Sequence, residues 1–483
     1  MRVLFATAEF APLVKTGGLG DVSAALPAAL AGLGCDVRVM LPAYTGVLES
    51  ALRPREVAVV DALPGLPSVR LLEAGAADGT PLLLLDCPAL YHRPGDPYQD
   101  EARRDWPDNA QRFGLLGRVA ALVGERLGPG AWRPDVLHCN DWHAALAPVY
   151  LHGRQRRILP TVLTVHNLAF QGIFPGESLP LLDLPGDAWS ADGVEFHGNI
   201  SFLKAGLNHA DWIATVSPSY AREIQSQEHG CGLDELLRRR AACLSGILNG
   251  IDTQVWNPAT DPILPHQYGA ATLDRKIANK RELQRRLGLV PDDDVPMFGS
   301  VGRLTWQKGT DLLLEIAPRI AALPAQIVVL GAGEPEIERK LASLAGAFPD
   351  RIAVHIGFDE PLAHLIEAGA DFFIMPSRFE PCGMNQMYSQ RYGTVPVVRA
   401  TGGLVDTVTD CTPVALADRS ATGFVFEAAT PAAFIAAVER AAAAFGDKPL
   451  FRALQENGMA RDFSWRASAR QYLDIYIRIR ANP

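Results

Sequence analysis

The sequence predicts an α/β protein with two doubly wound domains, and three observations predict it. Short, wholly apolar runs recur along the chain and end in polar residues, the pattern of strands buried on both faces of a parallel sheet. Helical patterns separate these runs, so the connections are crossovers that lay helices over the sheet. The chain, at 483 residues, is too long for one core, and the alternation restarts at Met297 after a boundary segment rich in Pro, Asp and Arg between Pro258 and Pro296.

Composition narrows the classes of function. A formal net charge of −9 with no sustained basic stripe argues against nucleic acid as a partner; Arg238-Arg239-Arg240 and Arg285-Arg286 read as solvated helix faces. Seven cysteines, an odd number without a Cys-x-x-Cys pair, fit reduced thiols and a cytoplasmic location. Met1 leads almost directly into an apolar run, which reads as leaving no room for a signal peptide, and no apolar stretch is long enough to span a bilayer.

In order along the chain, Arg2 to Thr7 is the first expected strand, and Lys15-Thr16-Gly17-Gly18-Leu19-Gly20-Asp21 opens a helix expected over Ser23 to Leu33. The G-x-G-x-x-G spacing of a dinucleotide turn is absent, and glycines there also serve packing alone. Lys15 beside paired glycines suits a phosphate, because a cation stands next to converging amides. Further strands are expected at Asp36 to Leu41, Leu82 to Asp86, Val136 to Cys139, Thr161 to His166 and Trp212 to Val216. Asp141 and His166 then fall at the carboxyl edge of the sheet, where such folds bind ligands. Taken singly, His166 reads as a hydrogen-bonded structural histidine. Tyr98, in the loop Pro94-Gly95-Asp96-Pro97, is either a contact residue or a packing residue. Leu244 to Leu248 is the expected last strand of this half, running into a hinge at Asn249-Gly250-Ile251-Asp252.

The second half opens with the strand Met297 to Gly302. Arg303 and Lys308 follow in a loop before a helix near Asp311, where two cations and helix amides can converge on a diphosphate; the competing reading is two surface charges. Val328 to Gly331 and Ile352 to Gly357 are further strands, and Phe358 is either a stacking face for a base or a core residue. Asp292-Asp293-Asp294 contains the Asp-x-Asp pattern of a metal site but precedes a strand, and reads as a solvated turn. Phe372 to Pro376 is a buried strand; Ser377 to Gly383 follows, with Pro381 suited to the first turn of a helix from Gly383 to Tyr392. Glu380 and the amides of Cys382 and Gly383 then sit at a helix N-terminus. Val395 to Val398 leads into Thr401-Gly402-Gly403, whose glycines let amides approach a bound group. These two loops together make a site for a polar, anionic ligand. Thr-Gly-Gly-Leu-x-Asp occurs twice, at Thr16 and at Thr401, in different places of the strand order.

Arg378-Phe379-Glu380-Pro381-Cys382-Gly383, with Tyr388, Tyr392-Gly393-Thr394-Val395-Pro396 and Thr401-Gly402-Gly403-Leu404-Val405-Asp406, closely resembles the signature of bacterial glycogen synthases and plant starch synthases, glycosyltransferase family 5 of the ADP-glucose type. Lys15-Thr16-Gly17-Gly18-Leu19 and Arg303 to Gly309 match the same pattern, and the resemblance extends over nearly the whole chain. It implies the GT-B architecture, two Rossmann-like domains facing a deep cleft. Residues 1–250 would form the acceptor-side domain, 251–460 the nucleotide-sugar domain, and the tail 461–483, with Tyr472, Tyr476 and Ile479 on one helix face, would pack back on the first. It implies retaining transfer of glucose from ADP-glucose, a substrate rather than a cofactor, to the non-reducing end of an α-1,4-glucan such as glycogen, without a metal. The implied catalytic set is Lys15, His166, Arg303, Lys308 and Glu380. Donor contacts fall to Gly17, Gly18, Asp21, Asp141, Asn249, Phe358, Cys382, Gly383, Tyr388, Thr401, Gly402 and Gly403, and the acceptor contact to Tyr98. Many related retaining transferases carry a second Glu eight residues after the first; here that position is Tyr388, as in the synthases, and the ribose contacts stay open. Another sugar nucleotide on the same fold is the nearest rival. A silent polysaccharide-binding relative would be expected to lose Lys15, Arg303, Lys308 or Glu380, and a nicotinamide-dependent dehydrogenase would need the missing glycine turn.

Overall fold

The computed structural model describes residues 1–127, 130, 132–152 and 159–481. The chain forms two compact units, one of Met1–Ile247 with Trp465–Pro483 and one of Leu248–Ser464, as against the boundaries at 250 and 461 read from the sequence.

In the first unit the strands are β1 (Arg2–Ala6), β2 (Asp36–Pro42), β3 (Leu52–Val60), β4 (Val69–Gly75), β5 (Pro81–Asp86), β6 (Val136–Asn140), β7 (Thr161–Val165), β8 (Ile173–Pro175), β9 (Glu195–Phe196), β10 (Asn199–Ser201), β11 (Trp212–Thr215) and β12 (Leu244–Gly246). Nine of them form one sheet in the order β12-β11-β7-β6-β1-β2-β5-β4-β3. The stretch from β12 to β5 is parallel, and its members are the apolar runs of the sequence. β4 and β3 extend the edge in antiparallel fashion. Sequence reading misses both, because antiparallel strands with one face toward water carry charge: β4 holds Arg70 and Glu73, and the edge strand β3 holds Arg53, Arg55 and Glu56. It also misses the small antiparallel sheet β8-β10-β9, whose strands are too short to show a period.

The first helix runs over Gly18–Ala31, five residues ahead of the expected start at Ser23, because Gly17 is extended and already caps it. The last helix, Trp465–Ala481, packs on it and buries Tyr472, Tyr476 and Ile479. His138 on β6 pins that helix: one ring nitrogen lies 2.7 Å from the Tyr476 hydroxyl and the other 2.7 Å from Thr164 Oγ1.

In the second unit β13 (Met297–Val301), β14 (Gln326–Gly331), β15 (Ile352–Ile356), β16 (Phe372–Met375), β17 (Val395–Arg399) and β18 (Phe424–Phe426) form an all-parallel sheet. Its order, β15-β14-β13-β16-β17-β18, is the 3-2-1-4-5-6 arrangement of doubly wound nucleotide-binding folds. Period-two alternation sends Phe298, Ile327, Val329, Phe372 and Val397 into one apolar layer and Met297, Val328, Leu330, Phe373 and Val398 into the other. Both faces are therefore core, which is why these strands read as unbroken apolar runs. Behind the sheet, Lys280 and Asp371 form a buried ion pair at 2.7 Å, and Asp371 also accepts the Met297 amide. Among the described residues no helix is long and apolar enough to cross a membrane.

Candidate active site

Strand order reverses between β13 and β16 in the second unit, and between β1 and β6 in the first. At such a reversal neighbouring loops leave in opposite directions and open a crevice at the carboxyl ends of the strands. The sequence-predicted polar residues gather at both places.

In the second unit the loop after β13 carries Arg303 and Lys308, and the loop after β16 carries Glu380. Gly309, at φ +68°, brings the two together, since a Cβ there would stand 2.1 Å from the Pro376 carbonyl oxygen. Lys308 Nζ lies 2.5 Å from Glu380 Oε2, and the Ser377 hydroxyl donates to the same oxygen at 3.1 Å. Oε1 of this buried carboxylate has no partner among the described residues. Arg303 is exposed, and its guanidinium hydrogen-bonds among the described residues to Gln307 Oε1 alone, at 3.5 Å. Arg378 fastens the two loops, donating to Asp311 at 2.6 and 2.7 Å with its guanidinium 4.4 Å from the Trp306 ring.

The glycine pair after β17 corrects one expectation. A Cβ at Gly402 would meet the Glu380 carbonyl oxygen at 2.0 Å and one at Gly403 the Cys382 carbonyl oxygen at 2.1 Å. The Gly403 amide donates to the Glu380 carbonyl at 3.1 Å rather than standing free for a ligand. The glycines thus seat the Glu380 loop, and Thr401, buried and extended, precedes the short helix they begin without a side-chain capping bond to it. A second correction follows. The helix expected over Gly383 to Tyr392 spans Asn385–Arg391, because Gly383 turns at φ +70° and Met384 is not helical, so Pro381, Cys382 and Gly383 lie in the loop. Burial pushes the Cys382 thiol up to about 12, with the Asn249 backbone N–H pulling the other way. Asn249 Oδ1 is buried without a partner among the described residues, an acceptor that a ligand can satisfy.

Phe358 follows β15 and is 91% exposed, which excludes the core reading and leaves an open aromatic face. Tyr388 turns instead into a stack: its ring lies 3.8 Å from Trp256, which lies 4.0 Å from His364 on its other face. Asp293 of the Asp-rich turn bonds Arg281, and among the described residues no three His, Cys, Asp or Glu stand together as metal ligands.

In the first unit Lys15 and Asp21 pair at 2.8 Å, both partly exposed. The Thr16 and Gly17 amides, expected to face a phosphate, instead donate to Glu9 Oε2 at 2.7 and 3.2 Å. Glu9 is the residue sequence reading misses; its one signal is an acidic position just past a buried strand, ahead of a glycine pair. Tyr98 donates to Glu9 Oε1 at 2.5 Å and stacks on His143 at 4.9 Å. Gly18 starts the helix at this turn, and a Cβ on Gly17 would meet open space.

Asp141 opens a short helix after β6 with φ +51°, a conformation costly for a side chain other than glycine, and such strain gathers at functional sites. Its Oδ1 accepts the His166 amide at 2.7 Å. Burial pushes its carboxyl up to about 7 against the His166 and Asn167 amides, and the Glu9 charge adds to the rise. His166 is pulled down to about 4 by burial. It is therefore neutral near pH 7, and its Nε2 lies 3.1 Å from Asn140 Oδ1. Since Asn140 Nδ2 donates to the Ala6 carbonyl, its oxygen faces His166; the imidazole proton sits on Nε2, and Nδ1 is left as an acceptor.

Two doubly wound units, one presenting Arg303 and Lys308 beside a buried carboxylate, define a glycosyltransferase of the GT-B class. Residues 2–239 match the starch synthase catalytic domain, and residues 281–458 match the glycosyl transferases group 1 model. The chain belongs to the glycogen synthase family. It is 56% identical over 481 residues to the glycogen synthase of Aromatoleum aromaticum, covering 100% of this chain and 97% of the relative. It is also 56% identical over 477 residues to that of Dechloromonas aromatica, covering 99% and 98%. The catalytic domain of starch synthase IV from Arabidopsis thaliana, bound to ADP and acarbose, superposes with a TM-score of 0.88 at 33% identity, covering 100% of this chain and 99% of that one. Sucrose-phosphate synthase from Thermosynechococcus elongatus, at 18% identity and a TM-score of 0.60 over the whole of both chains, shares the fold.

Proposed function

We propose that this enzyme transfers glucose from ADP-glucose to the non-reducing end of an α-1,4-glucan with retention at the anomeric carbon, the reaction of glycogen biosynthesis. The observation that carries this reading is the Lys308–Glu380 pair with exposed Arg303 beside it at the strand-order reversal. Transfer lengthens the bond from anomeric carbon to phosphate oxygen, leaving positive charge on the sugar and negative charge on ADP. Arg303 and Lys308 answer that developing charge, and Lys15 of the first unit is assigned the same task. One such preorganised donor is worth about 3 kcal/mol, on the order of a hundredfold in rate. Glu380 Oε2 holds Lys308 in place while Oε1 takes a glucose hydroxyl. His166 Nδ1 and Asn249 Oδ1 supply acceptors for further hydroxyls, and Asp141 holds the His166 backbone.

The acceptor hydroxyl attacks from the face the phosphate leaves. Its oxygen bonds to the anomeric carbon as the bond to phosphate breaks, and its proton passes to a departing phosphate oxygen. Retention then needs no covalent glycosyl-enzyme. Phe358 stacks on the adenine. The relative bound to ADP and acarbose supports a nucleotide and a glucan-like ligand as partners. The seven unpaired cysteines support a reducing, cytoplasmic setting. ADP release from ADP-glucose, with and without glycogen, tests the reading, with a panel of other sugar nucleotides in parallel. Release stimulated by glycogen and strongest for ADP-glucose is the expected result; a better donor in the panel, or indifference to glycogen, overturns it.

A further inference from the structure

We infer that Glu9 is a positioning residue that ties the turn bearing Lys15 to the loop bearing Tyr98, so that occupancy at Tyr98 is felt at Lys15. The inference rests on the reading of Lys15 as a donor contact and Tyr98 as an acceptor contact.

Glu9 follows β1 at the point where strand order reverses, and it is 3% exposed. Its oxygens receive four hydrogen bonds: Oε2 from the Thr16 and Gly17 amides at 2.7 and 3.2 Å, Oε1 from the Thr16 hydroxyl at 2.6 Å and the Tyr98 hydroxyl at 2.5 Å. Among the described residues it has hydrogen-bond donors but no ion-pair partner. Two successive amides facing one oxygen make a small anion-binding nest. In many doubly wound proteins a ligand phosphate fills that place; here a carboxylate of the protein fills it. The turn is therefore fixed from within, and what it offers outward is the Lys15 ammonium, held at 2.8 Å by Asp21.

Tyr98 reaches the same carboxylate from residues far along the chain. Its ring stacks on His143, and its backbone carbonyl accepts Asn109 Nδ2 at 2.9 Å, so the hydroxyl is its movable end. A glucan hydroxyl that draws the Tyr98 proton toward itself removes one of the four donors. The freed capacity on Oε1 shifts toward Thr16, the residue next to Lys15. Buried networks of this kind respond as a unit, because a low local dielectric strengthens what remains.

The test uses the full-length enzyme and three variants, Glu9→Gln, Tyr98→Phe and the double substitution. Glu9→Gln keeps the shape but replaces one acceptor oxygen with a donor, and it should lower kcat/KM for ADP-glucose by about tenfold or more. Tyr98→Phe deletes one hydroxyl and should raise the KM for glycogen. In the Glu9→Gln background it should change that KM less than about twofold, since the hydroxyl then meets a neutral amide in place of the carboxylate that carries the coupling. Hydrogen exchange supplies a readout independent of turnover. The Thr16 and Gly17 amides should exchange about tenfold more slowly in Tyr98→Phe, although Tyr98 touches neither. Multiplicative kinetic effects, or unchanged Thr16 and Gly17 exchange in Tyr98→Phe, overturn the coupling. Absence of wild-type turnover on ADP-glucose and glycogen would reject the proposed reaction instead, and the exchange measurement would still decide whether Glu9 links the two loops.

Discussion

Lys308 Nζ and Glu380 Oε2, 2.5 Å apart, join the loops after two different strands at the point where the sheet reverses. Removing either partner leaves the other in a partly dry place without its counter-charge. Lys308→Gln is expected to lower kcat/KM for ADP-glucose by about a hundredfold and to weaken ADP binding. Glu380→Gln should lower kcat by a similar order while costing less ADP affinity, because it loosens Lys308 without deleting it. Steady-state kinetics beside calorimetric titration with ADP separates the two; equal loss of ADP affinity would contradict this assignment of roles.

Lys15→Gln is expected to lower kcat/KM by about a hundredfold as well, yet to spare ADP binding far more than Lys308→Gln does. The reason lies within the second unit, whose strand-end loops carry Arg303, Lys308 and the open face of Phe358, the groups proposed to hold the nucleotide. Matching losses of ADP affinity in the two lysine variants would refute this division.

Phe358→Ala should leave thermal stability nearly unchanged, since the ring is 91% exposed, and should narrow the preference for ADP-glucose over UDP-glucose, because a purine offers more stacking surface. Comparable kcat/KM for the two donors in the wild type would remove the preference; an unchanged ratio in the variant would remove its stacking explanation.

Asp141 gives a signed pH effect. Its carboxyl titrates near 7 in the fold and near the ordinary ~4 when unfolded, so between those values the folded state keeps a proton that the unfolded state releases. Stability attributable to this group therefore falls as pH rises from about 4 to 7, by at most about 1.4 kcal/mol per pH unit. Asn tolerates the left-handed backbone and keeps an acceptor for the His166 amide. Asp141→Asn should thus gain stability relative to wild type on going from pH 4.5 to 7.5. His138 and His166, lowered to about 3 and about 4 by burial, slope the other way in both proteins and cancel in the difference. Denaturant titrations at the two pH values decide it; a constant difference would show that Asp141 is not held protonated.

Chelation with EDTA is expected to leave turnover nearly intact, because Arg303 and Lys308 are proposed to take the part a divalent ion plays on a diphosphate. Loss of activity restored by magnesium or manganese would end that assignment.

The parallel strands are legible in the sequence because both their faces are core; Phe372 and Phe373 point into opposite layers, and neither can be polar. The charged edge strand β3 is not legible, since one side meets water and a local window cannot tell it from a loop. Arg303, Lys308 and Glu380 stand out because each sits in a loop after an apolar run, and Lys15 because it abuts a glycine pair ahead of a helix. Glu9 does not, because its donors at 16, 17 and 98 are neighbours only after folding. The same limit applies to Gly402 and Gly403, whose glycine requirement comes from the backbone at Glu380 and Cys382 rather than from a ligand.

The helix Trp465–Ala481 belongs to the unit in which the chain begins, and His138 and the helix Gly18–Ala31 wait for it. On the ribosome the amino-terminal unit therefore emerges early but cannot close over its own core until the helix Trp465–Ala481 has left the exit tunnel. Residues 248–464, being continuous, can finish first. Through most of synthesis the apolar seat for Tyr472 and Tyr476 stays open, the kind of exposed surface on which chaperones act. A message truncated just before Trp465 would release a chain whose later-made half is complete and whose earlier-made half is not.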